Sequence, residues 1–296
     1  MGKERKIWHL LVVILLSLIW GTSYILMKRG LESFSSYQVG ALRLIISFLC
    51  MLPVAITNLH KLDKDNLLSI IIIGLLGSGI PAFLFPLAQS RINSSLTGML
   101  NTLSPVFTLV VGIFFYKRQA IKSQIIGVTI GLIGAVGLLY GGSFTFNYFG
   151  LFVVLATIIN GFSSNEVSKV KGLTGSQITA LSFFVISPFA LIILLTSDIH
   201  SALETEHWVR NLGCIAILSI CGSALANVLF YRLIRETSPV FAAITAYFIP
   251  IVATMWGVAD GENVTSSMIV SVLIILAGVY IINRRNILKK ASNLHI

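Results

Sequence analysis

The chain is written in long apolar runs separated by short polar punctuation. Segments of about 20 mostly apolar residues are long enough to cross the hydrocarbon core of a bilayer as helices. Ten are expected here: Ile7 to Met27, Tyr37 to Thr57, Asn66 to Ser90, Ser94 to Tyr116, Ser123 to Gly141, Tyr148 to Val167, Ser176 to Ser197, Val209 to Leu233, Pro239 to Ala259 and Val264 to Asn283. The connections are short, so almost nothing can fold outside the bilayer. Ten apolar helices of spanning length predict an all-α, polytopic membrane protein.

Two of the runs contain a proline where a helix interior excludes one. "LNTLSPVFTL" carries Pro105 and "YFIPIVA" carries Pro250. Proline removes one backbone hydrogen bond and clashes with the preceding turn. It frees the carbonyl of Asn101 in the first run and of Ala246 in the second; Pro81 and Pro86 do the same to Gly77 and Ala82 in the third span. Free acceptors at membrane depth must face protein, water or ligand, so these breaks are expected to face a cavity. A kink serving packing alone is the competing reading.

The prolines are also related by repetition. Gly77 to Pro105 and Gly222 to Pro250 align without a gap, matching Gly77 with Gly222, Ser78 with Ser223, Leu84 with Leu229, Phe85 with Phe230 and Pro105 with Pro250. "WGTS" at Trp20 aligns with "NGFS" at Asn160, which makes the repeat five spans long, with halves 1–143 and 144–296. Five is odd, so the second copy enters the membrane upside down. Inverted repeats of this kind characterise transporters whose site lies near the midplane between the halves.

Polar residues form stripes at helical spacing. Thr97, Asn101, Ser104 and Thr108 share one face of the fourth span; Ser17, Trp20, Tyr24 and Lys28 share one face of the first, and Thr157, Asn160, Ser164 and Ser168 repeat it in the sixth. Related polar faces in both halves imply a shared lumen. The candidate solute-binding residues are Trp20, Tyr24, Thr97, Asn101, Ser104, Asn160, Ser164, Asn227 and Tyr247, beside the helix breaks at Pro81, Pro86, Pro105 and Pro250. For any single hydroxyl, an interhelical hydrogen bond worth about 1 kcal/mol is the plainer role.

Composition narrows the chemistry. At 56% hydrophobic and 11% charged, with a mean hydropathy of +0.91, the chain is far more apolar than a soluble domain. The net charge of +10 is not gathered into a basic patch interleaved with aromatics, so no nucleic-acid partner is expected. Most of the 21 Lys and Arg residues fall in alternate connections, which places both termini in the cytoplasm. The basic, apolar start lacks a small-x-small cleavage site and is read as a retained first span. Lys28, Arg43 and Glu166 lie near span ends, where snorkelling explains them. No Asp, Glu or His stands at the centre of a span, so no proton relay is expected.

Cys50, Cys214 and Cys221 lie in apolar spans and are odd in number, which reads as buried small hydrophobes rather than a disulfide framework. With no glycine-rich phosphate loop, paired acids or His cluster, no catalytic residue, metal or cofactor is expected. Gly127, Gly131, Gly134 and Gly137 give the fifth span a smooth face, suited to close packing within a monomer or in a weak homodimer.

"WGTSYILMK" in the first span, "ALR" in the second, "LSPVF" in the fourth and "GLIGAVGLLY" in the fifth resemble the EamA-type transporters of the drug/metabolite transporter superfamily. The resemblance runs over nearly the whole chain. It implies ten helices as two inverted five-helix repeats, with a central cavity lined mainly by the first, third, fourth, sixth, eighth and ninth. It also implies an inner-membrane permease moving small organic metabolites by alternating access, often as an amino-acid exporter. Drug or nucleotide-sugar cargo, or a pore, are the alternatives. The implied partners are a small-molecule solute and the lipid bilayer. Such repeats often end their fourth helix with Gly-Glu: the second half has Gly261-Glu262, whereas the first has Lys117-Arg118.

Overall fold

The computed structural model describes residues 3–140 and 146–292. Among these the secondary structure is helical, without strands: α1 (Lys3–Leu31), α2 (Ser36–Lys61), α3 (Lys64–Gln89), α4 (Ser94–Phe115), α5 (Lys122–Tyr140), α6 (Gly150–Val167), α7 (Gly175–Leu195), α8 (Trp208–Glu236), α9 (Pro239–Ala259) and α10 (Ser266–Ser292). Among the described residues α1 to α9 are long and apolar enough to cross a membrane, and α10 carries a shorter apolar stretch, Ser266–Ile282. The expected fifth-span end at Gly141 and the repeat boundary at 143–144 lie outside the described residues. Leu10, Leu49, Ile133, Leu195 and Leu273 stand exposed on the outer face. That is the arrangement expected where lipid tails, as apolar as leucine, replace a protein core.

The helices begin where the sequence supplies caps. Ser35 and Gln38 form a capping box at the start of α2, with Gln38 N–H donating to Ser35 Oγ and Ser35 N–H to Gln38 Oε1. Thr174 and Gln177 repeat it at the start of α7. Each box satisfies two backbone donors that the first turn leaves without partners.

The packing repeats as well. Helices α2 and α7 pack together, α5 packs on α10, and the pair α4 with α6 is answered by α9 with α1. Equivalent helices meeting one another are the contacts of two halves related by a pseudo-two-fold axis. Even the irregularities recur: α3 opens into a π segment at Gly74–Gly79 and α8 at Leu218–Leu225, while α4 tightens to 3₁₀ at Asn101–Leu103 and α9 at Ala243–Tyr247.

These 3₁₀ turns correct the expectation that Pro105 leaves a bare carbonyl. The tightened turn brings the Ser104 N–H onto the Asn101 carbonyl, and Ser104 Oγ donates to the same oxygen at 2.8 Å. At the second break Phe248 N–H donates to the Thr245 carbonyl at 3.3 Å. The helix changes its pitch before each proline, and at Pro105 the lost bond is replaced one residue earlier.

The glycine face of α5 is taken up within the chain by α10. A Cβ on Gly127 would stand 2.5 Å from the Gly278 carbonyl oxygen, and one on Gly134 2.7 Å from the Ser271 carbonyl oxygen. Only Gly131 turns elsewhere, toward Val106 of α4. The cysteines differ from expectation: Cys50 is exposed on the outer face of α2 beside Leu49, because the face of α2 that packs on α7 lies on its other side, and Cys214 and Cys221 are half-buried.

The seam generates a prediction. Gly127→Ala forces backbone apart rather than a side-chain tip, an overpacking cost of about 1–3 kcal/mol. The variant is expected to denature at lower denaturant than the parent when the purified protein is titrated in mixed micelles, whereas Gly213→Ala, which meets nothing within 4 Å, should match the parent.

Candidate solute-binding site

Between the halves lies a cavity of about 120 Å³. At about 10–15 Å³ per enclosed water, it has room for roughly ten water-sized groups. Trp20, Tyr24, Asn101, Ser104, Asn160, Ser164 and Asn227 line it, as does Pro81. The other expected residues stand elsewhere. Thr97 is fully buried in α4, with its hydroxyl turned back onto the Asn93 carbonyl at 3.0 Å. Tyr247 lies outside the wall, although Ala243, Thr245 and Ala246 of the same 3₁₀ turn line it. Pro86, Pro105 and Pro250 are buried behind the wall: they shape the helices that carry the lining groups without contributing surface. Ser17 is also spent on structure, donating to the Val13 and Thr245 carbonyls.

The irregular turns position the polar groups. Trp20 Nε1 donates to the Gly222 carbonyl inside the α8 π segment at 3.0 Å, and its ring meets Phe230 edge-on at 5.0 Å between centroids. Asn227 Nδ2 donates to Ser78 Oγ, in the α3 π segment, at 2.9 Å. Asn101 Oδ1 accepts from Ser104 Oγ at 3.1 Å across the 3₁₀ turn. The aligned glycines do equivalent work. A Cβ on Gly77 would stand 2.7 Å from Tyr231 Oη, and one on Gly222 2.6 Å from Ser23 Oγ. Absence of a side chain at both positions lets α3 and α8 bring their backbones to the cavity.

Three charged residues differ from the snorkelling expectation. Arg43 faces the cavity from α2, with Nε donating to Ser223 Oγ at 2.6 Å. Lys28 Nζ is 2.6 Å from Asp260 Oδ2 and 2.8 Å from Glu262 Oε1. Glu166 is buried and accepts from Tyr116 Oη at 2.6 Å and Ser69 Oγ at 2.7 Å. Their partners come from distant helices, so a reading span by span sees lone charges where the fold makes pairs. Arg43 had one usable sign: of the three it stands furthest inside its span, six residues after Tyr37.

The geometry thus places a cavity, walled by polar side chains and aromatic rings, where two inverted helical halves meet. A sequence profile of the EamA-like transporter family matches residues 7–140 and matches again over residues 148–284. The chain belongs to the EamA-like transporter family. It is therefore a membrane transport protein and not an enzyme. The chain is 26% identical over 258 residues to the "Uncharacterized inner membrane transporter YedA" of Escherichia coli (strain K12), covering 86% of this chain and 83% of that protein. It is 24% identical over 266 residues to the "S-adenosylmethionine/S-adenosylhomocysteine transporter" of Chlamydia trachomatis, covering 83% and 80%. A protein of known crystal structure superposes with a TM-score of 0.65 at 14% identity, over 92% of this chain and 94% of that one, which shows the shared fold.

The Gly-Glu pair of this EamA-family chain closes one end of the bundle. Gly261 sits at φ +78° after α9, a left-handed position that glycine takes without strain. The turn sends Glu262 back toward α4, where its carboxylate accepts from the N–H and hydroxyl groups of both Ser94 and Ser95 at 2.7–2.9 Å. A carboxylate thereby caps a helix that has no cap of its own. Arg29 is paired with Asp260 and Glu32 at the same end, and Arg210 with Glu32. In the first half Arg118 follows Lys117 at φ +53°, so the turn survives with its charge inverted.

Burial alone would push the Glu262 carboxyl up, but the hydrogen bonds from Lys28, Ser95 and Ser94 outweigh it and hold the group down from 4.5 to about 2. A carboxyl depressed in the folded state adds stability above its unfolded value, and that contribution is lost as pH falls toward the folded one. The unfolding temperature in detergent should therefore fall from pH 4.5 to about 2. Glu262→Gln should start lower at pH 7 and lose less over that interval; a parallel slope in the two proteins would show that Glu262 does not carry the effect.

Proposed function

We propose that this chain is an inner-membrane permease for small organic metabolites, amino acids and close derivatives above all, working as an exporter by alternating access. The halves 1–143 and 144–296 rock about a solute held by Trp20, Tyr24, Asn101, Ser104, Asn160, Ser164 and Asn227, with both termini cytoplasmic. The observation that carries this reading is the cavity itself: it lies between the inverted halves, and side chains from both supply its polar groups. Its size favours solutes of about ten heavy atoms over drugs or nucleotide sugars. A diphosphate-bearing solute would also call for several cations in the wall, whereas among the described residues Arg43 is the one Lys or Arg that lines it.

Among the described residues no Asp, Glu or His lines the cavity, which supports facilitated exchange rather than proton coupling. The helix breaks favour a carrier over a pore, since they give each half a bend at the depth of the solute.

Counterflow in proteoliposomes tests the reading. Vesicles preloaded with one unlabelled amino acid or metabolite are expected to take up its labelled form saturably, and Asn160→Ala should reduce kcat/KM by about tenfold, the value of one lost polar contact of about 1.4 kcal/mol. Absence of exchange across a broad panel, or linear flux without saturation, would overturn the carrier. Exchange that stops when the proton gradient is collapsed, with the solute gradient kept, would overturn the uncoupled mechanism.

A further inference from the structure

Among the described residues Arg43 is the one formally charged side chain in the cavity wall, and it is under-used there. A guanidinium offers five N–H donors. In this structure Nε donates to Ser223 Oγ, and among the described residues the remaining donors meet no hydrogen-bond acceptor and no carboxylate within ion-pair distance. Holding a cation inside a transmembrane segment is costly, and such residues mark solute pathways unless a partner explains them.

The second repeat acts as an internal control for a purely structural role. Helices α2 and α7 start from the same capping box and continue in register, Gln38 with Gln177, Ala41 with Ala180 and Leu42 with Leu181. Arg43 is then answered by Ser182, which is buried. The same packing position in the same fold is met without charge, so helix packing does not call for an arginine.

We propose that Arg43 is an anion subsite and that the transported solute carries a carboxylate, its two oxygens meeting the guanidinium fork. This rests on the permease reading and narrows its substrate class. One guanidinium neutralises one carboxylate and provides two parallel hydrogen bonds in matching geometry. Among the described residues no acid lines the wall, so a cationic solute finds no carboxylate there to offset Arg43. Trp20, Phe85, Phe183 and Phe230 supply apolar surface for the remainder of the molecule.

The test uses paired probes on the purified full chain in detergent: leucine, phenylalanine, 3-phenylpropionate and 4-methyl-2-oxopentanoate, each beside its primary amide, with affinity read from the shift in unfolding temperature. At least one carboxylate should bind about tenfold or more tighter than its amide. Arg43→Gln should erase that preference, while Arg43→Lys, which keeps a point charge without the fork, should retain part of it. If Arg43→Gln fails to fold, Arg43→Lys and the carboxylate-to-amide ratio in the parent still decide. A panel in which no carboxylate is preferred over its amide overturns the assignment, as does a preference that survives Arg43→Gln. Counterflow separates the two claims. Carboxylate preference without exchange removes the carrier and leaves the subsite; exchange of a neutral solute that Arg43→Gln leaves unchanged removes the subsite and leaves the carrier.

Discussion

In hydrocarbon a backbone N–H or C=O has no water to turn to, and each one left alone costs several kcal/mol. That constraint makes every crossing segment a helix, and it governs how a crossing segment can be irregular. The four interruptions in α3, α4, α8 and α9 all remain hydrogen-bonded turns, two widened to π and two tightened to 3₁₀. They change the pitch of the chain, and at Asn101 the carbonyl freed by Pro105 regains donors from Ser104. All four border the cavity on one side, while Leu75, Ile220 and Leu225 of the two π segments turn outward.

The pseudo-symmetry sets a second level of organisation, and its violations carry as much meaning as its observance. Ser78 and Ser223 occupy equivalent π turns but accept from different donors, Asn227 in one case and Arg43 in the other. Glu262 caps α4, whereas Arg118 follows the corresponding turn in the first half and α9 relies on Ser238 for its cap. The scaffold is duplicated; the charges are not. Each departure replaces one member of a matched pair with a residue of different electrostatic character, so a cavity built by two similar walls has unlike sides.

Much of the architecture could be read from apolar run lengths, because lipid imposes a period and a length that a single sequence displays. The repeat was legible in the ungapped match from Gly77 to Pro105 with Gly222 to Pro250, and the resemblance to EamA-type transporters rested on short motifs in their order. What escaped the sequence depended on partners far along the chain. Lys28 looked like a snorkelling end charge until Asp260 and Glu262 came beside it. The helical stripe aligned Thr97 with Asn101, but Thr97 is fully buried with its hydroxyl turned onto the Asn93 carbonyl and does not reach the lumen. Pro105 was read as leaving a gap because an α-helical bond count was assumed, and a 3₁₀ turn counts differently.

The contact between α5 and α10 has a consequence for how such a chain can drift. Backbone touches backbone there, at Gly127 with Gly278 and Gly134 with Ser271, so a single added methyl is a structural event. A cavity-wall position such as Asn160 borders open space, so a changed side chain there meets less resistance from packing. The packing cost of a mutation is therefore highest in the seam and lowest at the cavity wall. A fold partitioned this way can acquire new cargo in few steps while its outline stays fixed.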